Sequence, residues 1–277
     1  MSATTIDPFA DRYDAAPIRF LYRLNPLAKI AAPLPAMVAL LFSRDPVTPA
    51  AFIALAWILL LVGASLSRRA ALAIFLLLPL GIAVLSGSFA LWTDPAAVAE
   101  TPVLWSVGDY RFHLGALYIG ASTALRLAAL ATLALLGGLT TTGPDLVRAM
   151  IQQLRVPYRI GYTTLAAYRF VPRFAHELDV IRAAHRVRGM AGGRGPVPAL
   201  RRWVGYVVPL LASAIRHAER VALSMDSRAF GAHPTRTERH LVPFRTRDYL
   251  FVIAFWAVTA TLFLAASSAE IPPIGVR

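Results

Sequence analysis

Two short basic triplets hold the residues best suited to chemistry with a partner, Val187-Arg188-Gly189 and Ser227-Arg228-Ala229. Each falls where a helical pattern runs out. The simplest role for Arg188 and Arg228 is therefore to face the negative end of a helix dipole, worth about 0.3 to 1 kcal/mol. Their small neighbours point further. Gly189, and likewise Ser227 and Ala229, let a guanidinium enter a groove with its backbone close behind. A planar guanidinium also holds a partner carboxylate in a bidentate contact that Lys cannot reproduce. Asp226 adjoins Arg228 and is a candidate to orient it, although residues at i and i+2 do not share a helix face.

Nothing else along the chain assembles into a catalytic constellation. His113, His176, His185, His217, His233 and His240 are scattered, without metal-ligand spacing. There is no Cys, which excludes disulfides and thiolate sites. The run Gly192-Gly193-Arg194-Gly195-Pro196 lacks both the preceding strand and the following Lys-Ser/Thr of a phosphate loop, so it reads as a linker. Glu177 and Asp179 near Arg182, and Glu219 beside Arg216 and Arg220, read as solvated helix pairs. These residues suit a chain that passes mechanical work between partners and performs no reaction itself.

The triplets need long helices to carry them. Thr142-Gly143-Pro144-Asp145 is a helix start, with Leu146, Val147, Met150, Ile151 and Leu154 on one face before Pro157 ends it. After a second short segment, Pro172 opens a helix with apolar Phe174, Leu178 and Ile181, which stops at Gly189 after a basic last turn. A third helix, about 198 to 229, repeats apolar residues at 204, 207/208, 211, 215, 218, 222, 225 and 229. That spacing marks a helix packed along a partner helix.

The rest of the chain is membrane apparatus. Of 277 residues 57% are hydrophobic and the mean hydropathy is +0.58, too apolar for a soluble domain of this size. Apolar runs at about 27–43 (kinked by Pro33 and Pro35), 47–66, 70–92, 116–139 and 249–266 approach or reach the roughly 18 to 20 residues that cross a bilayer. No cleavable signal is evident, because the leader is too long and too acidic. The expected fold is thus an all-α polytopic membrane protein with about five transmembrane helices and a cytoplasmic module of long amphipathic helices. The division is 1–139 (N-terminal arm and four spans), 140–247 (the helical module) and 248–277 (last span and tail). The net charge of +13 comes from 27 Arg and one Lys, and 18 of the Arg lie in 140–247. Five spans with the N-terminus inside place every basic cluster in the cytoplasm. Arg126 falls inside the fourth span, where a charge is costly and either functional or paired within the bundle.

Two other functional classes fit the residues less well. A membrane enzyme acting on lipid-borne substrates needs clustered carboxylates for magnesium, and the acids here are few and dispersed. An anionic-lipid or nucleic-acid binder would show one basic block, whereas these Arg alternate with apolar stripes.

The run Arg169-Phe170-Val171-Pro172-Arg173-Phe174 through Arg186-Val187-Arg188-Gly189, with Ser224-Met225-Asp226-Ser227-Arg228-Ala229-Phe230, resembles the transmembrane T component of energy-coupling factor (ECF) transporters, the CbiQ/EcfT family. The likeness extends through Leu125-Arg126-Leu127, Thr140-Thr141-Thr142 and Arg23-Leu24-Asn25-Pro26-Leu27-Ala28-Lys29. In that family two Ala-Arg-Gly signatures insert into grooves on ATPase subunits. The triplets here keep the Arg but change its neighbours, Val for Ala in the first and two other small residues in the second. The resemblance implies a non-catalytic subunit in a prokaryotic inner membrane that couples two ABC-type ATPases (a homo- or heterodimer) to a membrane-embedded, substrate-binding S component. ATP and Mg would be bound by the ATPases, no cofactor by this chain and no nucleic acid. The cargo would be a vitamin or a transition-metal ion. ATP binding would draw the two Arg tips together and topple the S component.

Overall fold

The computed structural model describes residues 19–43, 45–107, 110–189 and 195–268. The arm up to residue 18, Arg44, Gly108 and Asp109, linker residues 190–194 and the tail from 269 lie outside the described residues. The chain divides into two compact units, residues 1–142 with 243–277, and residues 143–242.

The first unit is an all-α membrane bundle. Helices α1 (Pro26–Ala31) and α2 (Leu34–Phe42) make up the first apolar stretch, broken at Ala32-Pro33 where proline removes a donor. Helix α3 is Val47–Gly63; α4, Arg68–Trp92, contains a π-helical turn at Ala73–Leu77. Then come α5 (Leu114–Thr140) and, after the second unit, a last long helix (Thr246–Ser268). Three of these, Arg68–Trp92, Leu114–Thr140 and Thr246–Ser268, are long and apolar enough to cross a membrane. The stretches Pro26–Phe42 and Val47–Gly63 are shorter. Seventeen residues rise about 25 Å, near the lower limit for a span. The fold class read from the sequence holds.

Residues 93–115 bring a departure. Beyond the expected turns, Val103–Val107 (β1) and Tyr110–His113 (β2) pair as an antiparallel hairpin. The apolar run Val103-Leu104-Trp105, with Val and Trp favouring strands, supports it locally, but Gly, Pro and Asp on either side hide so short a strand. His113 is 8% exposed, with Nδ1 3.0 Å from the Thr101 carbonyl oxygen. That bond satisfies the ring inside the fold.

At the bundle's centre, α5 buries Ala116, Gly120, Ala124, Ala128, Thr132 and Leu136, one residue in every four. The stripe admits α4 so closely that a Cβ on Gly120 would stand 2.3 Å from the Ser86 carbonyl oxygen and 2.8 Å from the Ala90 nitrogen. Small residues facing each other are how apolar helices gain contact in lipid, where no hydrophobic force drives them together. Ala90, Val98 and Ala116 pack at this crossing, and a separate, larger cluster brings together Leu40, Phe52, Leu60, Leu133 and Phe255, with Phe52 and Phe263 ring centroids 5.7 Å apart.

Helix C-termini in this unit are capped by cations from other elements. Arg19 donates to the carbonyls of Leu61 and Ala64 at the end of α3, and Lys29 Nζ donates to the Thr140 carbonyl, 2.7 Å away, at the end of α5. Arg126 Nη2 donates to the Ser43 carbonyl at the end of α2. Each cation meets free carbonyls and the negative end of a dipole at once.

Among its described residues the second unit contains three helices: α6 (Gly143–Gln153), α7 (Tyr158–Val187) and α8 (Pro196–Asp226). The last span above is therefore α9. Sequence reading expected a short segment and then a new helix from Pro172. Instead α7 runs unbroken for 30 residues with Pro172 inside it. A mid-helix proline costs roughly 3 kcal/mol, but helical residues on both sides and packing against α8 carry the chain through. Helix α8, 31 residues, likewise encloses Pro209.

Candidate functional site

Helices α7 and α8 run antiparallel. His185 meets Tyr206 (5.1 Å between rings), Arg182 stacks over Trp203 (5.5 Å), and Phe170 meets His217 edge-on (4.5 Å). At the far end Tyr158 packs edge-on against Phe230 (5.7 Å) and donates from its hydroxyl to the His233 carbonyl (2.6 Å). Arg159 donates to the Gly231 carbonyl. The C-terminus of α8 thus lies beside the N-terminus of α7.

It follows that the two triplets occupy opposite ends of one helix pair. Thirty helical residues separate them along α7, about 45 Å. The sequence could not show this, because the apolar spacing of the third helix marks a partner helix but neither which helix it is nor its direction.

Both ends place a left-handed residue directly after the Arg. Arg188 caps α7; its N–H donates to the Ala184 carbonyl (3.1 Å), and Gly189 follows with φ +72° and donates to the Arg186 carbonyl (3.1 Å). At the other end the Ala229 N–H donates to Asp226 (2.9 Å), and the Phe230 N–H to Met225 (3.0 Å), with Ala229 at φ +55°. That paired pattern is a Schellman closure, with Arg228 at the cap and Ala229 in the left-handed position. A left-handed residue turns the chain away immediately after each Arg, leaving the guanidinium at the helix tip. Val187, Arg188 and Gly189 are exposed, Val187 to 90%, and so are Asp226, Ser227, Arg228 and Ala229.

The Arg228 end borders an open cleft of about 740 Å³ whose lining includes Arg148, Arg169, Arg236, Arg239 and Glu238. Arg148 pairs with Asp145 at 3.0 Å, and Arg236 stacks over the Tyr162 ring at 4.4 Å. Burial pushes the Tyr162 phenol pKa up, and so does its hydrogen bond to Glu238, which accepts it at 2.7 Å. The cleft is basic and suits an acidic partner surface. Sequence reading did not single out Tyr162, Arg236 or Glu238. Their juxtaposition depends on the return of residues 231–242 along α6 and α7, fixed by Gln152 and Gln153 donating to the His240 and Val242 carbonyls.

The helix-surface pairs read from the sequence include Arg182–Asp179 at 3.2 Å, joined by Arg173–Glu177 at 3.6 Å. Arg126 belongs to the membrane unit, where it caps α2 through Ser43 and has a buried Nε with no hydrogen-bond partner. Nearby, burial raises the Asp45 carboxyl pKa, but hydrogen bonds from Ser43 and Thr48 outweigh it and leave the group below its ordinary value.

Comparison with known proteins agrees with this architecture. The family model CbiQ, "Cobalt transport protein", matches residues 18–239. The energy-coupling factor transporter transmembrane protein EcfT of Streptococcus thermophilus is 27% identical over 259 residues, 90% of this chain and 95% of that protein. EcfT of Bacillus subtilis is 27% identical over 172 residues, 59% of this chain and 65% of its own length. EcfT of Thermotoga maritima is 35% identical over 100 residues, 36% of this chain and 37% of its own. The matched segment runs from the first described helices through both long helices of the second unit, so the chain belongs to the CbiQ cobalt transport protein family, the transmembrane T components of ECF transporters.

Proposed function

We propose that this chain is the coupling subunit of its transporter, with Arg188 and Arg228 each docked in one of two ABC-type ATPase subunits. Motion driven by ATP then passes through α7 and α8 to a membrane-embedded S component that carries the substrate, a vitamin or a transition-metal ion. ATP and Mg belong to the ATPases, and no cofactor to this chain. The observation that carries the reading is the shared C-cap geometry: two exposed guanidiniums at opposite ends of one antiparallel helix pair, each followed by a left-handed residue. One helix pair with a guanidinium at each end suits a dimeric motor. Such tips approach one another only if the pair bends, and the midpoints of its helices hold Pro172 and Pro209.

The exposed apolar residues of α8, among them Val204, Val207, Val208, Leu211 and Ile215, supply a face for a hydrophobic partner, in this reading the S component. Charge supports an inner-membrane setting with the N-terminus and residues 140–247 in the cytoplasm, 1–139 and 248–277 furnishing the spans.

Purification of the tagged chain from its native membrane tests the proposal. Two ATPase-type chains are expected to accompany it. Arg188→Ala or Arg228→Ala should each weaken retention of an ATPase at least about tenfold, as loss of a charge-assisted contact predicts, with the membrane bundle still folded. Undiminished assembly and transport in the double variant would falsify the docking roles.

A further inference from the structure

The backbone leaves the membrane unit after Thr142 and returns to it at Pro243. Both crossing points are bonded to the same six-residue helix. Lys29, in the last turn of α1, donates through Nζ to the carbonyl of Thr140, two residues before the departure (2.7 Å). Asn25, the N-cap of α1, donates through Nδ2 to the carbonyl of Pro243 at the return (3.4 Å), and its Oδ1 accepts from the Leu27 N–H (2.9 Å). The Asn25 backbone N–H donates to Asp248 Oδ1 (2.8 Å). Asp248 Oδ2 accepts from the Arg245 N–H (2.7 Å), the reach-back of a capping box at the start of α9.

These side chains are out of water: Lys29 is 2% exposed, Asp248 1% and Asn25 3%. Lys29 is the only Lys in a chain with 27 Arg. Burying an ammonium and a carboxylate costs several kcal/mol each before partners repay it, so such groups are weak contributors to stability and are best explained by the position they specify. Helix α1 cannot stand alone either. Six residues are far below the length at which an isolated helix persists, and the break at Ala32-Pro33 separates it from α2. A Cβ on Gly137 of α5 would meet Ile30 at 3.5 Å and the Lys29 carbonyl oxygen at 3.8 Å, so α1 lies directly on the end of α5.

We propose that Asn25, Lys29 and Asp248 form a clasp that locks the outgoing and returning strands to one pin, α1, and that this clasp delivers motion of residues 143–242 to the membrane helices. The three act as positioning residues. The proposal rests on the coupling reading above and adds to it the place where force enters the bundle. With the clasp intact, a displacement at either crossing moves α1, α5 and α9 together relative to α2, across the break at Ala32-Pro33. Without it, the two connections yield independently and the motion is lost as slack.

The absence of Cys in the chain allows a test that needs no knowledge of the cargo. Spin labels are placed at Val38→Cys and Leu250→Cys, exposed positions on α2 and α9. The distance between them is measured in the full complex in lipid nanodiscs, without nucleotide and with ATP and vanadate. A nucleotide-dependent distance change is expected in the parent chain. In Lys29→Met and Asp248→Asn the shifted population should fall at least about fivefold while ATPase retention and ATP hydrolysis persist, and Lys29→Arg should restore the change. A purely structural role would lower ATP hydrolysis and retention along with the distance change. Should Lys29→Met fail to assemble, Asn25→Ala keeps the backbone bond to Asp248 but loses Pro243, and should still reduce the shift. A full shift in any assembled clasp variant, or none in the parent complex, overturns the clasp alone. A parent chain that brings no ATPase overturns the coupling reading with it.

Discussion

Gly189 and Ala229 do the same job with unequal ease. Both hold left-handed backbone directly after an exposed Arg, at φ +72° and +55°. For any residue with a Cβ that conformation costs about 1 to 2 kcal/mol, which glycine avoids. Ala229→Gly should therefore tighten the Arg228 end, slowing hydrogen exchange at the Phe230 amide by roughly threefold to fivefold. Gly189→Ala should loosen the other end by about 1 kcal/mol; a Cβ there meets nothing within 4 Å, so the penalty is backbone alone. Arg228→Lys separates capping from docking. A lysine preserves the charge at the helix end but not the bidentate fork, so the cap should survive while ATPase retention drops about tenfold. The triplets were legible in the sequence because their residue types are unusual together. The Schellman closure at Ala229 was not, since alanine is a poor signal for a left-handed turn. The clasp was legible only in part: Asn25-Pro26 announces a helix start, yet nothing local to Asn25 or Asp248 reports that they meet from 223 positions apart.

At the scale of elements, apolar runs located the helices of the membrane unit, three of them long enough to cross, because lipid demands that backbone groups be satisfied within each helix. It failed at Pro172, where a local breaker was overruled by packing on α8, and at the 103–113 hairpin, too short to register against its turn-rich flanks. The crossing of α4 and α5 was equally hidden, since small residues carry little pattern. Two glycines of α5 make it testable. Gly120→Ala forces a methyl to within 2.3 Å of the Ser86 carbonyl oxygen and should cost about 1 to 3 kcal/mol through displacement of α4. Gly138→Ala, with nothing within 4 Å of the added Cβ, should be neutral or stabilising by up to about 1 kcal/mol from helix propensity. Thermal unfolding in detergent, read side by side, compares the two. Similar effects at both positions would show that the close approach of α4 contributes little.

For the whole molecule, the topology turns on two seventeen-residue helical stretches, Pro26–Phe42 and Val47–Gly63. Parity alone does not decide it. If Pro26–Phe42 and Val47–Gly63 both cross, the N-terminus, the Arg68–Arg69 turn and residues 143–242 share one side, and the β1–β2 hairpin takes the other. If both dip in and return on the same side, every one of those assignments is unchanged. The turn between them is the discriminating position. Val47 begins α3 and is 54% exposed; Trp105 on β1 is 69% exposed, and Arg201 on α8 is also exposed. Single cysteines at these three sites, in a chain that otherwise has none, can be challenged with a membrane-impermeant maleimide on intact cells. Five crossings with the N-terminus inside predict that Val47→Cys and Trp105→Cys react from outside and Arg201→Cys only after permeabilisation. The short stretches reach about 25 Å against a hydrocarbon core of about 30 Å, a mismatch that local thinning of the bilayer absorbs for fractions of a kcal/mol per Å. The caps supplied by Arg19 at α3 and Arg126 at α2 satisfy the carbonyls left where these short helices end. Labelling of Trp105→Cys but not Val47→Cys from outside would instead make residues 26–63 a re-entrant pair.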